Sequence, residues 1–206
     1  MIELTRQDGL WTVTIDRPAK ANSLTRAMLE EMAAIAGAAG QEGARAFVLT
    51  GRGRVFSAGA DLDEARAGLA VDPVWERLSG AVAALPCLTV AALNGTWAGG
   101  ACGMVLACDL RIAVPEARMF YPVVRLGYRP QPSDPGRLVR LIGPARAKMI
   151  LAAGQTVMAE EALAWGLVDR LVPAEEMETT LAALIAAPLA VRDGLVAEIK
   201  AMVDAA

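Results

Sequence analysis

The feature that most constrains the fold is a glycine-rich turn between two apolar segments. Residues 88–93 form an apolar run that ends at Asn94-Gly95, and the small residues around Gly99-Gly100 lead into a second apolar segment. This pattern predicts a buried strand, a tight turn and the start of a buried helix. Because a helix N-terminus carries unpaired N–H groups and the positive end of a dipole, glycines there let a negatively charged oxygen approach the main chain. Close packing of the helix on its strand explains the glycines equally well.

A second turn of the same kind lies upstream and favours the first explanation. Residues 46–50 form a short apolar run, and a turn with the sequence Phe-Ser-Ala-Gly-Ala-Asp-Leu follows at residues 56–62. Two such turns can bring two backbone N–H groups to one oxygen atom. The sequence therefore predicts a cleft in which main-chain amides bind a negatively charged oxygen.

The absence of histidine limits the chemistry of the chain. None of the 206 residues is a histidine, which excludes Ser-His-Asp and Cys-His nucleophile systems and histidine-ligated metals. A net charge of −3 argues against a nucleic-acid partner, and no run approaches the roughly 20 apolar residues of a membrane span. Three cysteines without disulfide or metal-ligand spacing, and no signal peptide, indicate a cytoplasmic protein. Because 55% of the residues are hydrophobic, we expect some apolar surface to pair with another subunit.

Predicted strands alternate with predicted helices, which indicates one α/β domain. In residues 1–5 and 11–15, on either side of Asp8-Gly9, apolar and polar residues alternate, a pattern typical of a β-hairpin. Asn22-Ser23 is predicted to cap the helix that follows, and residues 118–124 are predicted to form a strand.

A proline-rich loop at residues 130–136 precedes the helices of the second half. Either Ser133 or Asp134 is predicted to cap the helix that follows this loop. A further helix is predicted after Gly143-Pro144, and helices are predicted to close the chain.

These segments, in this order and at this spacing, resemble the crotonase superfamily, also called the enoyl-CoA hydratase/isomerase family. The resemblance covers nearly the whole chain and rests on residues 16–24, 48–51 and 56–62, on Asn94-Gly95 with Gly99-Gly100, on Cys108-Asp109 and on residues 162–168. It implies an α/β fold built as a crotonase-like spiral of β-β-α turns, the ClpP/crotonase fold. It also implies a core at residues 1–172, a C-terminal helical segment at residues 173–206 that is shorter than the family's, and assembly as homotrimers or dimers of trimers.

The resemblance assigns an oxyanion hole to the N–H groups of Ala60 and Gly100. They would hold the carbonyl oxygen of an acyl-CoA thioester and stabilise its enolate. Coenzyme A would be part of the substrate, and neither a separate cofactor nor a metal ion is implied. The residues implied in coenzyme A binding are Lys20, Ala21, Ala58, Ala60, Asp61 and Leu62. Lys20 is the candidate phosphate contact, with an ordinary exposed lysine as the alternative, and Asp61 is expected to cap a helix.

Two positions depart from the family's pattern. Hydratases of this family carry one glutamate three residues after the second glycine of the hole and another just after a proline, but this chain has Gly103 and Val123 there. Without the two carboxylates, no obvious pair remains to activate water and protonate the α-carbon. We expect Gly103 and Val123 to belong to the acyl pocket, with Trp97 beside it.

Tyr121 is the candidate acid in place of a glutamate, because it flanks Val123 and a tyrosine hydroxyl can donate a proton to an enolate. The alternatives are a buried, hydrogen-bonded tyrosine for Tyr121, a helix cap for Asp134 and plain core packing for Trp97. Three functions remain open. They are an acyl-CoA enzyme of the lyase or isomerase type in fatty acid metabolism, a decarboxylase or thioester hydrolase that needs the hole alone, and a noncatalytic acyl-CoA binder.

Overall fold

Two β-sheets form the scaffold of the chain, for which the computed structural model describes residues 1–205. The strands are β1 (Ile2–Gln7), β2 (Leu10–Ile15), β3 (Ala46–Gly51), β4 (Val55–Ser57), β5 (Leu88–Leu93), β6 (Thr96–Ala98), β7 (Leu110–Ala113), β8 (Arg118–Phe120), β9 (Thr156–Met158) and β10 (Arg170–Leu171). The larger sheet has the strand order β1-β2-β3-β5-β7-β10, and the smaller sheet has the order β4-β6-β8-β9.

Helices connect the strands and complete the core. They are α1 (Arg26–Gln41), α2 (Leu62–Arg66), α3 (Val74–Ala83), α4 (Ala101–Leu106), α5 (Val123–Leu126), α6 (Asp134–Leu151), α7 (Ala159–Trp165), α8 (Met177–Ala190) and α9 (Leu195–Asp204). Short 3-10 turns lie at Pro18–Lys20, Leu69–Val71 and Ala174–Glu176.

A repeated β-β-α turn joins the two sheets. In the pairs β3 and β4, β5 and β6, and β7 and β8, the first strand enters the larger sheet and the second enters the smaller one. Strands of successive repeats pair in parallel, as Val48 does with Val90 and Val90 with Leu110. Each pair is followed by a helix, so the chain advances as the α/β spiral that the resemblance implied.

The central strands of the larger sheet, β3, β5 and β7, are buried on both faces. In β3, Phe47 and Leu49 join the main core, whereas Ala46 and Val48 join a second cluster that includes Ile185 of α8. A strand covered on both faces can be apolar at every position instead of alternating. This burial explains why residues 46–50 read as one continuous apolar run.

The predicted hairpin at the start of the chain is confirmed. β1 and β2 pair antiparallel from Ile2 with Ile15 to Gln7 with Leu10. Asp8 and Gly9 have positive φ angles of 49° and 86°, as a type I′ turn requires.

The prediction that Asn22-Ser23 caps α1 is wrong. The cap is Thr25, whose side chain accepts the N–H of Met28. Asn22 is buried instead, and its amide donates to the carbonyl oxygens of Arg52 and Val55. Its side chain therefore ties the segment before α1 to the turn between β3 and β4.

The strand predicted at residues 118–124 is correct only in its first half. β8 ends at Phe120, and Val123 begins the single turn of α5. Pro122 lies between them, and a proline has no N–H group with which to continue a ladder of β-sheet hydrogen bonds. The predicted break at Gly143 is confirmed, because its φ of 78° and ψ of 165° interrupt α6.

The C-terminal helices form a sharply bent pair. Residues 174–190 and α9 meet at an angle of 108°. No single helix within residues 1–205 is long and apolar enough to cross a membrane, and this pair meets the length and composition criteria only when its members are counted together.

One partly buried lysine anchors α9 to the core. Lys200 Nζ donates to the carbonyl oxygens of Leu85 and Cys87 and to the carboxylate of Asp109, at 2.7–2.9 Å. Replacing Lys200 with methionine is expected to lower the free energy of unfolding by about 2 kcal/mol, because these oxygens lose a charged donor. Urea denaturation followed by circular dichroism measures the change. The control is Lys148→Met in α6, at an exposed site, and equal effects of the two substitutions would contradict the anchoring role.

Candidate active site

The two glycine-rich turns lie in contact. They follow β4 and β6, which are parallel neighbours in the smaller sheet. Gly59 and Gly99 have positive φ angles of 91° and 55°. A Cβ atom built on Gly59 would lie 2.9 Å from the carbonyl oxygen of Ala98, so the close approach of the turns requires glycine there.

Each turn presents an unpaired backbone amide. On either side of Ala60, the carbonyl oxygen of Gly59 accepts the N–H of Leu24, and the N–H of Asp61 donates to the carbonyl oxygen of Leu24. The N–H of Ala60 between them donates to no residue within 1–205. The same is true of Gly100, which lies at the N-cap of α4.

Both unpaired amides belong to residues that line one cavity of about 240 Å³. Its wall is mostly apolar and contains no aspartate or glutamate among the described residues. The wall consists of Ala58, Ala60, Leu62, Ala65, Ala70, Trp75, Gly99, Gly100, Phe120, Tyr121, Pro122, Val123, Leu126, Tyr128, Arg129 and Gln131.

Trp75 is the tryptophan of this cavity. Its indole packs against Gly100, where an added Cβ would lie 2.7 Å from ring atom Cδ2, and its Nε1 donates to the carbonyl oxygen of Leu69 at 2.8 Å. No local sequence pattern marks Trp75 as a cavity residue, because its contact with Gly100 joins residues that are far apart along the chain.

Trp97 and Gly103 do not line the cavity, contrary to the expectation that they belong to the acyl pocket. Trp97 is wholly buried on β6, so it is core, as the alternative reading held. Gly103 is buried inside α4, and a Cβ atom placed there would lie 3.0 Å from Oδ1 of Asp134. Val123 is on the cavity wall.

The segments implied in coenzyme A binding come together around the first turn. Ala58, Ala60 and Leu62 line the cavity, and the N–H of Ala58 donates to the carbonyl oxygen of Ala21 at 3.0 Å. Lys20 is exposed at the end of a 3-10 turn, next to Ala21 and outside the cavity wall.

Asp61 caps α2, as the sequence predicted. Its Oδ1 accepts the N–H of Asp63, and its Oδ2 accepts a hydrogen bond from the guanidinium of Arg17 at 2.7 Å. The hydrogen bond from Arg17 lowers the pKa of the Asp61 carboxyl. These contacts hold the turn that carries the unpaired amide of Ala60.

Tyr121 is joined to a buried carboxylate behind the cavity wall. Its hydroxyl donates to Oδ2 of Asp134 at 2.7 Å and accepts the N–H of Gln131 at 3.3 Å. Asp134 is wholly buried, and the prediction that it caps α6 by a side-chain hydrogen bond is wrong. Ser133 occupies the N-cap without a cap bond of its own, and both its N–H and its hydroxyl donate to Glu76 of α3.

Burial is the largest influence on the pKa values of Tyr121 and Asp134. Desolvation raises the pKa of Asp134 to about 6, against the opposing effects of the hydrogen bond from Tyr121 and the charge of Arg137. Desolvation and the nearby Asp134 carboxylate raise the pKa of Tyr121 far above its usual range. Oδ1 of Asp134 lies 3.6 Å from Nη1 of Arg137 and accepts no hydrogen bond within residues 1–205.

The described chain holds no group of three or more Asp, Glu or Cys side chains arranged to bind a metal ion. Cys87, Cys102 and Cys108 are free and buried. Burial raises the pKa of each of these thiols, so none is a ready nucleophile.

Comparison with known proteins identifies the group to which this architecture belongs. A sequence profile of the enoyl-CoA hydratase/isomerase family matches residues 5–206. The short-chain-enoyl-CoA hydratase of Clostridium acetobutylicum is 36% identical over 188 residues, which cover 86% of this chain and 70% of that protein.

Solved structures agree with the sequence match. An enoyl-CoA hydratase from Bacillus anthracis has a TM-score of 0.90 at 32% identity, covering 98% of this chain and 82% of that one. One from Mycobacterium avium subsp. paratuberculosis has a TM-score of 0.90 at 31% identity, covering 99% and 84%. The chain therefore has the crotonase fold and belongs to the enoyl-CoA hydratase/isomerase family, whose members process acyl-CoA thioesters.

Proposed function

We propose that the protein binds an acyl-CoA thioester with its carbonyl oxygen between the N–H groups of Ala60 and Gly100. These amides then stabilise the negative charge that develops on this oxygen when the thioester becomes an enolate. The observation that carries the proposal is the contact of the two turns, which leaves both amides unpaired beside one cavity. A preorganised donor of this kind contributes roughly 2.7–4 kcal/mol to transition-state stabilisation.

Coenzyme A would run along the first turn. We assign its contacts to Lys20 and to the segments around Ala21, Ala58, Ala60, Asp61 and Leu62. The hydrogen bond between Ala58 and Ala21 brings the Lys20 segment beside the cavity. Lys20 is exposed, so its ammonium group is available to a phosphate. Coenzyme A is then part of the substrate, and no separate cofactor is assigned.

The acyl group would occupy the cavity beside Trp75, Phe120 and Val123. No carboxylate lies on the described wall, so hydration by a direct pair of carboxylates is not supported. The same observation favours a second candidate, the decarboxylation of a malonyl-type thioester, because loss of CO₂ generates the enolate without a base. Arg129, an exposed cation on the wall, suits the carboxylate of such a substrate, and Tyr121 suits the return of a proton.

We also propose that the chain assembles as a homotrimer or a dimer of trimers. Large apolar side chains are exposed on α6, β9 and α7, namely Val139, Met149, Met158 and Leu163. Covering such a surface is a common reason for subunit association. We assign the protein to the cytoplasm on its sequence composition and its free cysteines.

An acyl-CoA panel tests the proposed function. Isothermal titration with butyryl-CoA and free coenzyme A is expected to give tighter binding of the thioester, because only the thioester fills the cavity. Incubation with malonyl-type thioesters is expected to release CO₂, whereas the absorbance of conjugated crotonyl-CoA is expected to persist. Equal affinity for butyryl-CoA and free coenzyme A would contradict the site, and rapid loss of the crotonyl-CoA absorbance would contradict the preference against hydration.

A further inference from the structure

A buried carboxylate lies one hydrogen bond behind the cavity wall. Asp134 has no solvent-exposed surface, and its Oδ2 accepts the hydroxyl proton of Tyr121. The hydroxyl oxygen also accepts the backbone N–H of Gln131, and both Tyr121 and Gln131 line the cavity. The tyrosine oxygen is thus held between the wall and the carboxylate.

We propose that Tyr121 and Asp134 form a proton relay, in which Tyr121 contacts the α-carbon of the bound thioester and Asp134 is the group that finally holds the proton. This inference rests on the proposed function, since the relay serves the enolate held by Ala60 and Gly100. Asp134 touches no substrate and is therefore a positioning and proton-storing residue.

The relay moves two protons in one balanced step. The Cα–H bond breaks, its proton bonds to the oxygen of Tyr121, and its electron pair forms the enolate. At the same time the O–H bond of Tyr121 breaks, and that proton bonds to Oδ2 of Asp134. The reverse step returns a proton to an enolate, including one formed by loss of CO₂, so the same pair serves both directions.

The surroundings of Tyr121 explain why it needs a partner. Burial and the negative charge of Asp134 strongly disfavour a free phenolate, since they raise the pKa of Tyr121. A tyrosine in this place can accept a proton only if it passes on its own at the same moment. Asp134 is the acceptor, because its Oδ2 lies 2.7 Å from the hydroxyl oxygen.

Asp134 is held so that both of its protonation states are accessible. Desolvation and the charge of Glu76 on α3 favour the neutral acid, whereas Arg137 on α6 and the hydrogen bond from Tyr121 favour the carboxylate. The N-terminal position of Asp134 in α6 also favours the carboxylate. On α4, the thiol of Cys102 has a pKa raised well above its usual value and stays neutral. With its pKa at about 6, Asp134 is mainly ionised at neutral pH and ready to take a proton.

Exchange of the α-protons of butyryl-CoA with D₂O tests the relay. Mass spectrometry would follow the deuterium gained at C2, and titration calorimetry would give the affinity for butyryl-CoA. We expect Asp134→Asn and Tyr121→Phe each to slow exchange about 100-fold, the lower end of general acid–base effects, with little change in affinity. Because both act on one path, the double variant should be no slower than the slower single variant.

The pH dependence separates a relay from a merely structural hydrogen bond. Exchange needs the Asp134 carboxylate, so in the unsubstituted protein its rate should rise with pH through about 6 and then level off. This rise should disappear in Asp134→Asn. The control is Asp8→Asn in the exposed turn between β1 and β2, which should leave both the rate and the pH profile unchanged.

The outcomes separate the relay from the proposed function. Preferential binding of butyryl-CoA with exchange that survives in both single variants would overturn the relay alone, as would binding without any exchange. Equal affinity for butyryl-CoA and free coenzyme A would overturn the proposed function. If Asp134→Asn does not fold, Tyr121→Phe decides the matter, because undiminished exchange in that variant excludes transfer through the hydroxyl.

Discussion

Replacing Gly100 with proline is expected to lower turnover of the thioester by at least two orders of magnitude, that is about 100-fold or more, because proline has no N–H group to offer to the carbonyl oxygen. Loss of one such donor lowers turnover about 100-fold to 1000-fold. The substitution also adds a Cβ atom, which would lie 2.7 Å from Trp75. Turnover must therefore be measured in a variant in which the added Cβ atom has room.

A matched pair of variants removes this complication. Gly100→Ala and Gly100→Pro are both introduced together with Trp75→Leu, which removes the indole that a side chain at position 100 would meet. Both double variants then carry a Cβ at position 100, but only the alanine variant keeps the N–H group. Steady-state kinetics should place the proline variant about 100-fold below the alanine variant. Equal turnover in two folded proteins would reject the amide of Gly100 as a donor.

Replacing Gly95 with alanine is expected to lower the free energy of unfolding by about 3 kcal/mol, among the larger effects of a single substitution. Gly95 lies in the turn between β5 and β6, against the backbone of Arg54. A Cβ atom there would lie 2.6 Å from the carbonyl carbon of Arg54 and closer still to its oxygen. Backbone atoms cannot move aside as the end of a flexible side chain can. The turn between β5 and β6 and the turn between β3 and β4 must therefore separate. Guanidinium denaturation followed by circular dichroism measures the loss.

Gly37→Ala is the control for Gly95→Ala. Gly37 is exposed inside α1, and a Cβ atom added there meets nothing within 4 Å. Alanine has a higher helix propensity than glycine, so this substitution should raise the free energy of unfolding by up to about 1 kcal/mol. A Gly95→Ala protein as stable as the Gly37→Ala protein would contradict the close contact of the turns.

The two glycine-rich turns could be predicted because their signals are local. The apolar runs at residues 46–50 and 88–93 predict β3 and β5, which pair in parallel. The short strands β4 and β6, which carry the two turns, were not predicted. The hairpin at Asp8-Gly9 and the break at Gly143 were predictable for the same reason, since both depend on the backbone preferences of one or two residues.

The parts that the sequence did not reveal depend on contacts between distant segments. Asn22 is a residue type that often caps helices, but its side-chain amide donates hydrogen bonds to carbonyl oxygens thirty or more residues away. Asp134 is also a residue type that often caps helices. At the start of α6, however, Glu76 of α3 accepts the N–H of Ser133, and the Asp134 carboxylate accepts the hydroxyl of Tyr121 instead. The sequence does not distinguish Trp97 from Trp75, and only the packing of the folded chain places Trp75 at the cavity.

The space beside Gly103 limits which side chain can stand at that position. A Cβ atom there would lie 3.0 Å from the carboxylate of Asp134, so an acidic side chain on α4 and the carboxylate supplied by α6 would compete for the same space. In the proposed relay the carboxylate therefore comes from α6, and a glutamate introduced at position 103 would have to displace it.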